Sequence, residues 1–394
     1  MSGPVEHPPN ESGPEDDECA AIVSSKYQIF VPRLVDATNN NAQNLNAKAL
    51  LSRFTDPRAD WTALHYDAPD QQLAKSRRVH LQKLWRRHLW MPHLVLLYQQ
   101  AASAIFYPGP SPYDRLGLEL RSVSARGVPL IATLEGLLGD AEREAQLSKR
   151  AGHKVFCQRV SAEICQRVDR TLRAADHVIA ISPFLAQLGR RLYGDKFSVL
   201  PLGLDLSMFH SHARVALERP RVVSAGTVKW TKRPEIFVEA AAQNPSADFV
   251  WFGGGPELEQ YRSLSATRGL NNLTFAGPKL PGELADELRR SSIFVMCSQA
   301  EGVPKAMQEA AACGLPIVAF SFYEPPTVIP GENGLLASSD EEFFADLRTL
   351  IESPSLAARM GQRSAAMAAE WDWNLLAPKW EGTILNAIEA SARA

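Results

Sequence analysis

Residues Ile293–Phe320 read IFVMCSQAEGVPKAMQEAAACGLPIVAF, two apolar runs flanking a turn and an amphipathic stretch. The runs Ile293–Met296 and Pro316–Phe320 are continuous rather than alternating, the pattern of parallel strands covered on both faces by helices. Between them, Gly302-Val303-Pro304 marks a strand-to-helix turn. Pro304 suits the first helical turn, where its missing N–H removes nothing from the ladder. The spacing places Glu301 in the loop at the helix's amino end and Glu309 about two turns further along.

The same alternation runs through the chain from Tyr27 onward. Strands are predicted at 27–32, 93–97, 103–107, 129–133, 177–181 and 197–200, then at 221–225, 248–252, 273–276, 293–297, 316–320 and 334–337. Two successive α/β series of similar size predict two Rossmann-like, doubly wound domains facing across a cleft, joined near Pro201–Phe209. The expected division is an acidic disordered tail over 1–25, a first domain over 26–200, a second over 201–375, and a C-terminal helix over 376–394 that crosses back to the first domain. In such sheets a ligand sits beyond the carboxyl ends of the strands, here between the domains.

With 394 residues, two domains are the natural prior, and 45% hydrophobic with 22% charged residues places the chain among soluble globular proteins. No apolar run approaches the roughly 20 residues of a membrane span. The tail lacks a basic start and an apolar core, unlike a signal peptide. Five scattered cysteines without a Cys-x-x-Cys argue against a disulfide framework or zinc ribbon and for a reducing, cytoplasmic compartment. The net charge of −2 is uneven: −6 over 1–25, +10 over 26–200 and −6 over 201–394. The basic first half suggests an anionic partner for that half alone.

Glycine placement narrows the ligand. None occurs between Gly13 and Gly109, and no Walker-type loop occurs anywhere, which disfavours a P-loop or dinucleotide enzyme. Glycines instead punctuate strand ends in the second half, at Gly226, Gly253-Gly254-Gly255, Gly277, Gly302 and Gly314. Singly these are ordinary turns; their repetition makes this half the better nucleotide site. Free N–H groups and the helix dipole after Gly302 can hold a diphosphate. Carboxylates at 301 and 309 can accept from sugar hydroxyls, although two glutamates eight residues apart also suit a cap and a solvated face. Lys232 follows another strand and could neutralise a leaving diphosphate; alone it would read as surface charge.

Together these residues resemble the family-4 retaining glycosyltransferases of the GT-B fold. EGVPKAMQEAAACGLP over 301–316 is similar to that family's E-x7-E motif, and Gly253–Pro256 to its Gly-x-Gly-Pro turn. Pro330–Leu336 (PGENGLL), His177–Ser182 and Pro201–Phe209 match further landmarks. The likeness is strong over 177–375 and holds in outline over 27–176. It implies a hexosyl- or related transferase (EC 2.4 type), taking a UDP- or GDP-sugar to a hydroxyl of a glycan or lipid-linked acceptor, as in polysaccharide biosynthesis. It further implies that no cofactor or metal is required and that the anomeric configuration is retained. By the resemblance, Glu309 holds the ribose and Glu301 with the backbone at Gly302, Val303, Pro304 and Lys305 meets the donor sugar. Lys232 faces the diphosphate, and Gly253, Gly254, Gly255, Gly277, Pro278 and Lys279 line the nucleotide. The sequence agrees in having no Asp-x-Asp, and no histidine follows His212.

Three departures stand out. Thr227 replaces the arginine often found after Gly226, leaving Lys232 and Lys229 to supply charge. The first-domain glycine loop is replaced by Asp36–Asn41, where Asn40 and Asn41 could bind acceptor hydroxyls or Asn41 could cap the next helix. Glu135 takes the place of a histidine and joins Glu301 and Lys232 in the expected catalytic set. Thr227 and Glu135 also motivate an alternative: a catalytically weak or inactive GT-B module that binds nucleotide or a partner glycosyltransferase.

The stretch 75–93 carries Lys75, Arg77, Arg78, Lys83, Arg86 and Arg87, and no acid occurs between Asp70 and Asp114. Leu81, Leu84, Trp85 and Leu89 fit one helical stripe. This predicts either a helix packing on its own sheet or an interfacial helix peripheral at the inner membrane face, with Trp85 or Trp90 at anionic headgroups. No recognised nucleic-acid motif accompanies the charge.

Overall fold

A computed structural model of the chain describes residues 26–37, 42–83, 102–107, 128–136, 138–139, 157–212 and 217–393. The expected tail over 1–25, the strand at 93–97, and Asn40, Asn41, Trp85, Arg86, Arg87 and Trp90 lie outside these residues.

In the first half the strands are β1 (Tyr27–Leu34), β2 (Ala59–His65), β3 (Val79–Lys83), β4 (Ala104–Tyr107), β5 (Leu130–Leu134), β6 (His177–Ala180) and β7 (Phe197–Val199). They form one parallel sheet in the order β3-β2-β1-β4-β5-β6-β7. The helices described here are α1 (Ala42–Leu51), α2 (Cys157–Ala174) and α3 (Pro183–Tyr193). In α3 the start is legible: Ser182 accepts from the Leu185 N–H and Pro183 occupies the first turn.

The second half contributes β8 (Arg221–Ala225), β9 (Asp248–Phe252), β10 (Leu273–Gly277), β11 (Ile293–Met296), β12 (Ile317–Phe320) and β13 (Gly334–Ala337). This sheet is also parallel, ordered β10-β9-β8-β11-β12-β13, with the order reversing between β8 and β11. Its helices are α4 (Pro234–Gln243), α5 (Leu258–Thr267), α6 (Pro281–Arg289), α7 (Lys305–Ala312), α8 (Asp340–Glu352) and α9 (Pro354–Ala368). The continuous apolar runs have a physical outcome. Ile293 and Val295 bury into one core and Phe294 and Met296 into another, on opposite faces of the same strand. Successive side chains alternate faces, so only a strand covered twice needs apolar residues at every position.

The last helix, α10 (Trp373–Ser391), leaves the second half and packs in the core of the first sheet. Trp373, Leu376, Trp380, Ile384, Leu385 and Ile388 are buried there. The Trp380 indole N–H donates to the Pro201 carbonyl at 2.9 Å, and Glu381 accepts from the N–H groups of Thr55 and Asp56 at 2.9 and 3.1 Å. Among the described residues, no helix is long and apolar enough to cross a membrane.

Two readings of the first half need correction. Strand β2 was not expected, because Asp60, Thr62 and His65 interrupt its apolar residues, yet Ala59, Trp61, Ala63 and Leu64 are buried. The helical stripe through Leu81 is also wrong over its first part, since Val79–Lys83 is a strand at the sheet edge with Leu81 paired to Ala63. A short stretch with few apolar residues fits both periods, and here pairing with β2 decides between them. Arg78 is drawn to Asp60 at 3.3 Å, while Arg77 and Lys83 are exposed.

Candidate active site

The site is assembled at the carboxyl edge of the second sheet, where glycine turns let loops approach closely. The Gly226 N–H donates to the Phe252 carbonyl, the Gly253 N–H to Gly277, and the Val228 N–H to Gly254, at 2.8–2.9 Å. Gly253 has φ +145°, and a β-carbon there would lie 1.9 Å from the Gly226 carbonyl oxygen. Only glycine satisfies both constraints. The turns at 226, 253–255 and 277 are thus one stitched surface.

Lys232 ends a 3-10 turn (Trp230–Lys232) that follows β8. Its side chain lies near Gly226, where a β-carbon would stand 3.9 Å from Lys232 Cε. The next residue, Arg233, adopts the left-handed conformation (φ 50°, ψ 57°), uncommon outside glycine. Arg233 is held there by Asp340, whose two oxygens lie 2.9 and 2.7 Å from Nη2, and by the Phe320 ring, 5.0 Å away. Sequence reasoning missed this clamp, because Asp340 is 107 residues distant. Of the other residues expected here, Thr227 is exposed, Lys229 precedes the 3-10 turn, and Lys279 points to Glu287 at 3.8 Å.

Lys232 forms an ion pair with Glu301, and both side chains are largely enclosed. Glu301 lies in the loop after β11, as expected. Pro304 differs from expectation: it has extended geometry (φ −66°, ψ 114°) and sits at the N-cap, so the helix begins at Lys305. Glu309 is therefore only one turn into α7. Lys305 and Glu309 act on each other electrostatically. Burial raises the pKa of Glu309 and lowers that of Lys305, and the mutual attraction opposes both shifts. Gln308, on the buried side of α7, donates to the Leu202 carbonyl at 3.1 Å and ties the helix to the interdomain segment.

Across the cleft, Glu135 directly follows β5. The Thr133 hydroxyl donates to it at 3.3 Å. Burial raises its pKa, with Arg33, Thr133, Asn46 and Lys305 opposing the rise. Asn46, on α1, is buried, and its Oδ1 has no partner among the described residues. Arg33, also buried, donates from Nε to Asn44 Oδ1 at 2.6 Å. Arg33 falls where the β1–β2 register shifts, between Val31 and Leu34. An arginine and two asparagines buried together were the missed signal, since such groups rarely lie inside without partners. Val303 packs on the first-domain core, so the 301–305 loop bridges the domains.

Two cations, three carboxylates and a helix amino end are brought together where the two domains meet. It suits a bound diphosphate flanked by sugar hydroxyls. Residues 210–367 match the family described as glycosyl transferases group 1. Residues 210–367 are thus similar to that family. Over 300 residues the chain is 28% identical to D-inositol 3-phosphate glycosyltransferase 1 of Catenulispora acidiphila, covering 67% of this chain and 68% of that protein. A D-inositol 3-phosphate glycosyltransferase of Corynebacterium efficiens is 29% identical over 204 residues, covering 45% of this chain and 48% of the relative. The chain thus spans from about half to about two thirds of these curated relatives. The sucrose-phosphate synthase structure from Thermosynechococcus elongatus superposes with TM-score 0.76 at 19% identity, covering 93% of this chain and all of that one. Anabaena HepE in complex with UDP gives 0.69 at 17%, covering 91% and 100%. The fold is GT-B, two parallel-sheet α/β domains.

Proposed function

We propose that the chain is a retaining hexosyl- or related transferase that moves a sugar from a UDP- or GDP-sugar to a hydroxyl of a glycan or lipid-linked acceptor. The observation that carries this reading is the convergence of Lys232, Glu301, Lys305 and Glu309 on one edge of the second sheet, with Glu135 facing them from the first. The names of the matched proteins, which include D-inositol 3-phosphate glycosyltransferases and a UDP-bound structure, support a nucleotide-sugar donor.

Lys232 takes the diphosphate's charge as the leaving group departs, aided by the N–H groups at the start of α7. With that charge supplied by the protein, no metal is required. Glu309 accepts from the ribose hydroxyls and Glu301 from the donor sugar. The acceptor hydroxyl attacks from the face the phosphate leaves. The bond from the anomeric carbon to the phosphate oxygen breaks, the glycosidic C–O bond forms, and the acceptor's proton passes to the leaving phosphate oxygen. Glu135 orients the acceptor or the donor sugar. Arg77 and Lys83, exposed at the β3 edge, give this half a basic margin suited to an anionic surface near a lipid-linked acceptor.

The test is a panel of UDP- and GDP-sugars titrated by calorimetry, with products read by mass spectrometry. Glu309→Ala should weaken donor binding about tenfold or more, the loss of a hydrogen-bonded carboxylate. Glu301→Ala should suppress turnover. Wild-type turnover in both variants would overturn the reading. Binding without transfer to any acceptor would favour the inactive GT-B module.

A further inference from the structure

Lys232 and Glu301 hold each other in an ion pair, and a diphosphate that binds Lys232 competes with that pair. Lys232 and Glu301 are joined, with side chains 21% and 15% exposed. A diphosphate that takes Lys232 leaves Glu301 beside a second anion and without its cation, an arrangement Coulomb's law penalises in an enclosed space. Glu301 needs another donor at that moment.

The candidate is Tyr323. It closes a 3-10 turn (Ser321–Tyr323) at the carboxyl end of β12, and β12 pairs with β11, whose loop carries Glu301. Tyr323 is 1% exposed, and its hydroxyl has no hydrogen-bond partner among the described residues. Buried hydroxyls are normally paired, so an unpaired one points to a partner that arrives in another state. The phenol lies within electrostatic reach of Glu301, and burial followed by that carboxylate raises its pKa, which keeps it a hydrogen donor.

We propose that Glu301 is handed from Lys232 to the Tyr323 hydroxyl when a donor's diphosphate enters, making Tyr323 the positioning residue for the carboxylate that meets the donor sugar. This rests on the donor-site reading above. It gives the site an order of events: the diphosphate engages first, and only then is Glu301 free to be set against the sugar.

The test compares the full-length wild type, Glu301→Gln and Tyr323→Phe by calorimetry. The probes are UDP, GDP and whichever sugar nucleotide of those bases binds the wild type best. Glu301→Gln should bind the free diphosphate about threefold or more tighter, because the competing ion pair is gone. Tyr323→Phe should leave free-diphosphate binding unchanged and lose about tenfold of the extra affinity that the sugar confers. Unchanged or weaker diphosphate binding by Glu301→Gln overturns the handover, as does wild-type sugar discrimination in Tyr323→Phe. Should Tyr323→Phe melt early, its binding is compared with wild type below its melting temperature, where the same two outcomes decide. If the wild type binds neither UDP nor GDP, the donor-site reading falls and the handover with it. Diphosphate binding with unresponsive variants sinks the handover only.

Discussion

Gly302 and Glu135 meet backbone to backbone across the domain cleft: a β-carbon at 302 would lie 1.9 Å from the Glu135 carbonyl oxygen. The loop carrying Glu301 and the loop carrying Glu135 therefore share one contact, and its width is that of a glycine. Gly302→Ala must push these loops apart. A displacement near 1 Å at a reacting centre costs on the order of 100-fold in rate. Transfer measured for Gly302→Ala should fall by about that factor while the melting temperature stays close to wild type. Undiminished transfer would show that the contact does not set the catalytic spacing.

Lys305 faces both Glu309 and Glu135 and opposes the burial that raises their pKa values. Removing its charge in Lys305→Gln lets both rise further. A carboxylate required in its ionised form is then lost at higher pH, so the acid limb of the kcat/KM profile should move upward. A limb that stays in place or moves downward would contradict the assignment.

Arg233 holds a left-handed backbone through Asp340 and Phe320, directly after Lys232. Arg233→Ala leaves the Asp340 carboxylate without its bidentate partner and releases the turn. Loss of about 1–3 kcal/mol is expected in denaturant unfolding, together with weaker UDP binding, since Lys232 is no longer pre-positioned. A variant with normal stability and normal UDP binding would show the clamp to be incidental.

Trp380 is fully buried in the first-sheet core although it belongs to the last helix. Trp380→Ala should cost about 3–5 kcal/mol. Because α10 also supplies Glu381 to the N–H groups of Thr55 and Asp56, the first domain should lose protection in hydrogen exchange ahead of the second. Earlier loss in the second domain would contradict the packing described here.

By itself the sequence determined the second domain almost completely. Its strands are short apolar runs ended by glycines, and both signals are local: a doubly covered strand needs apolar residues at every position, and a tight loop needs residues without a β-carbon. The positions of Glu301, Lys232 and Glu309 after strand ends were legible for the same reason, while their roles remain part of the proposal. The first domain was less legible. Ala59–His65 and Val79–Lys83 have mixed composition, and their strand form follows from pairing with β1 and with each other.

Tertiary structure alone decided which charges meet. Lys232 pairs with a glutamate 69 residues away, Arg233 with an aspartate 107 away, and Glu381 with backbone groups more than 320 away. Local propensity carries no record of such separations. They are fixed by the order of strands in two sheets and by a last helix that returns to the first of them, which brings side chains together because their elements pack and not because their positions are near in the chain.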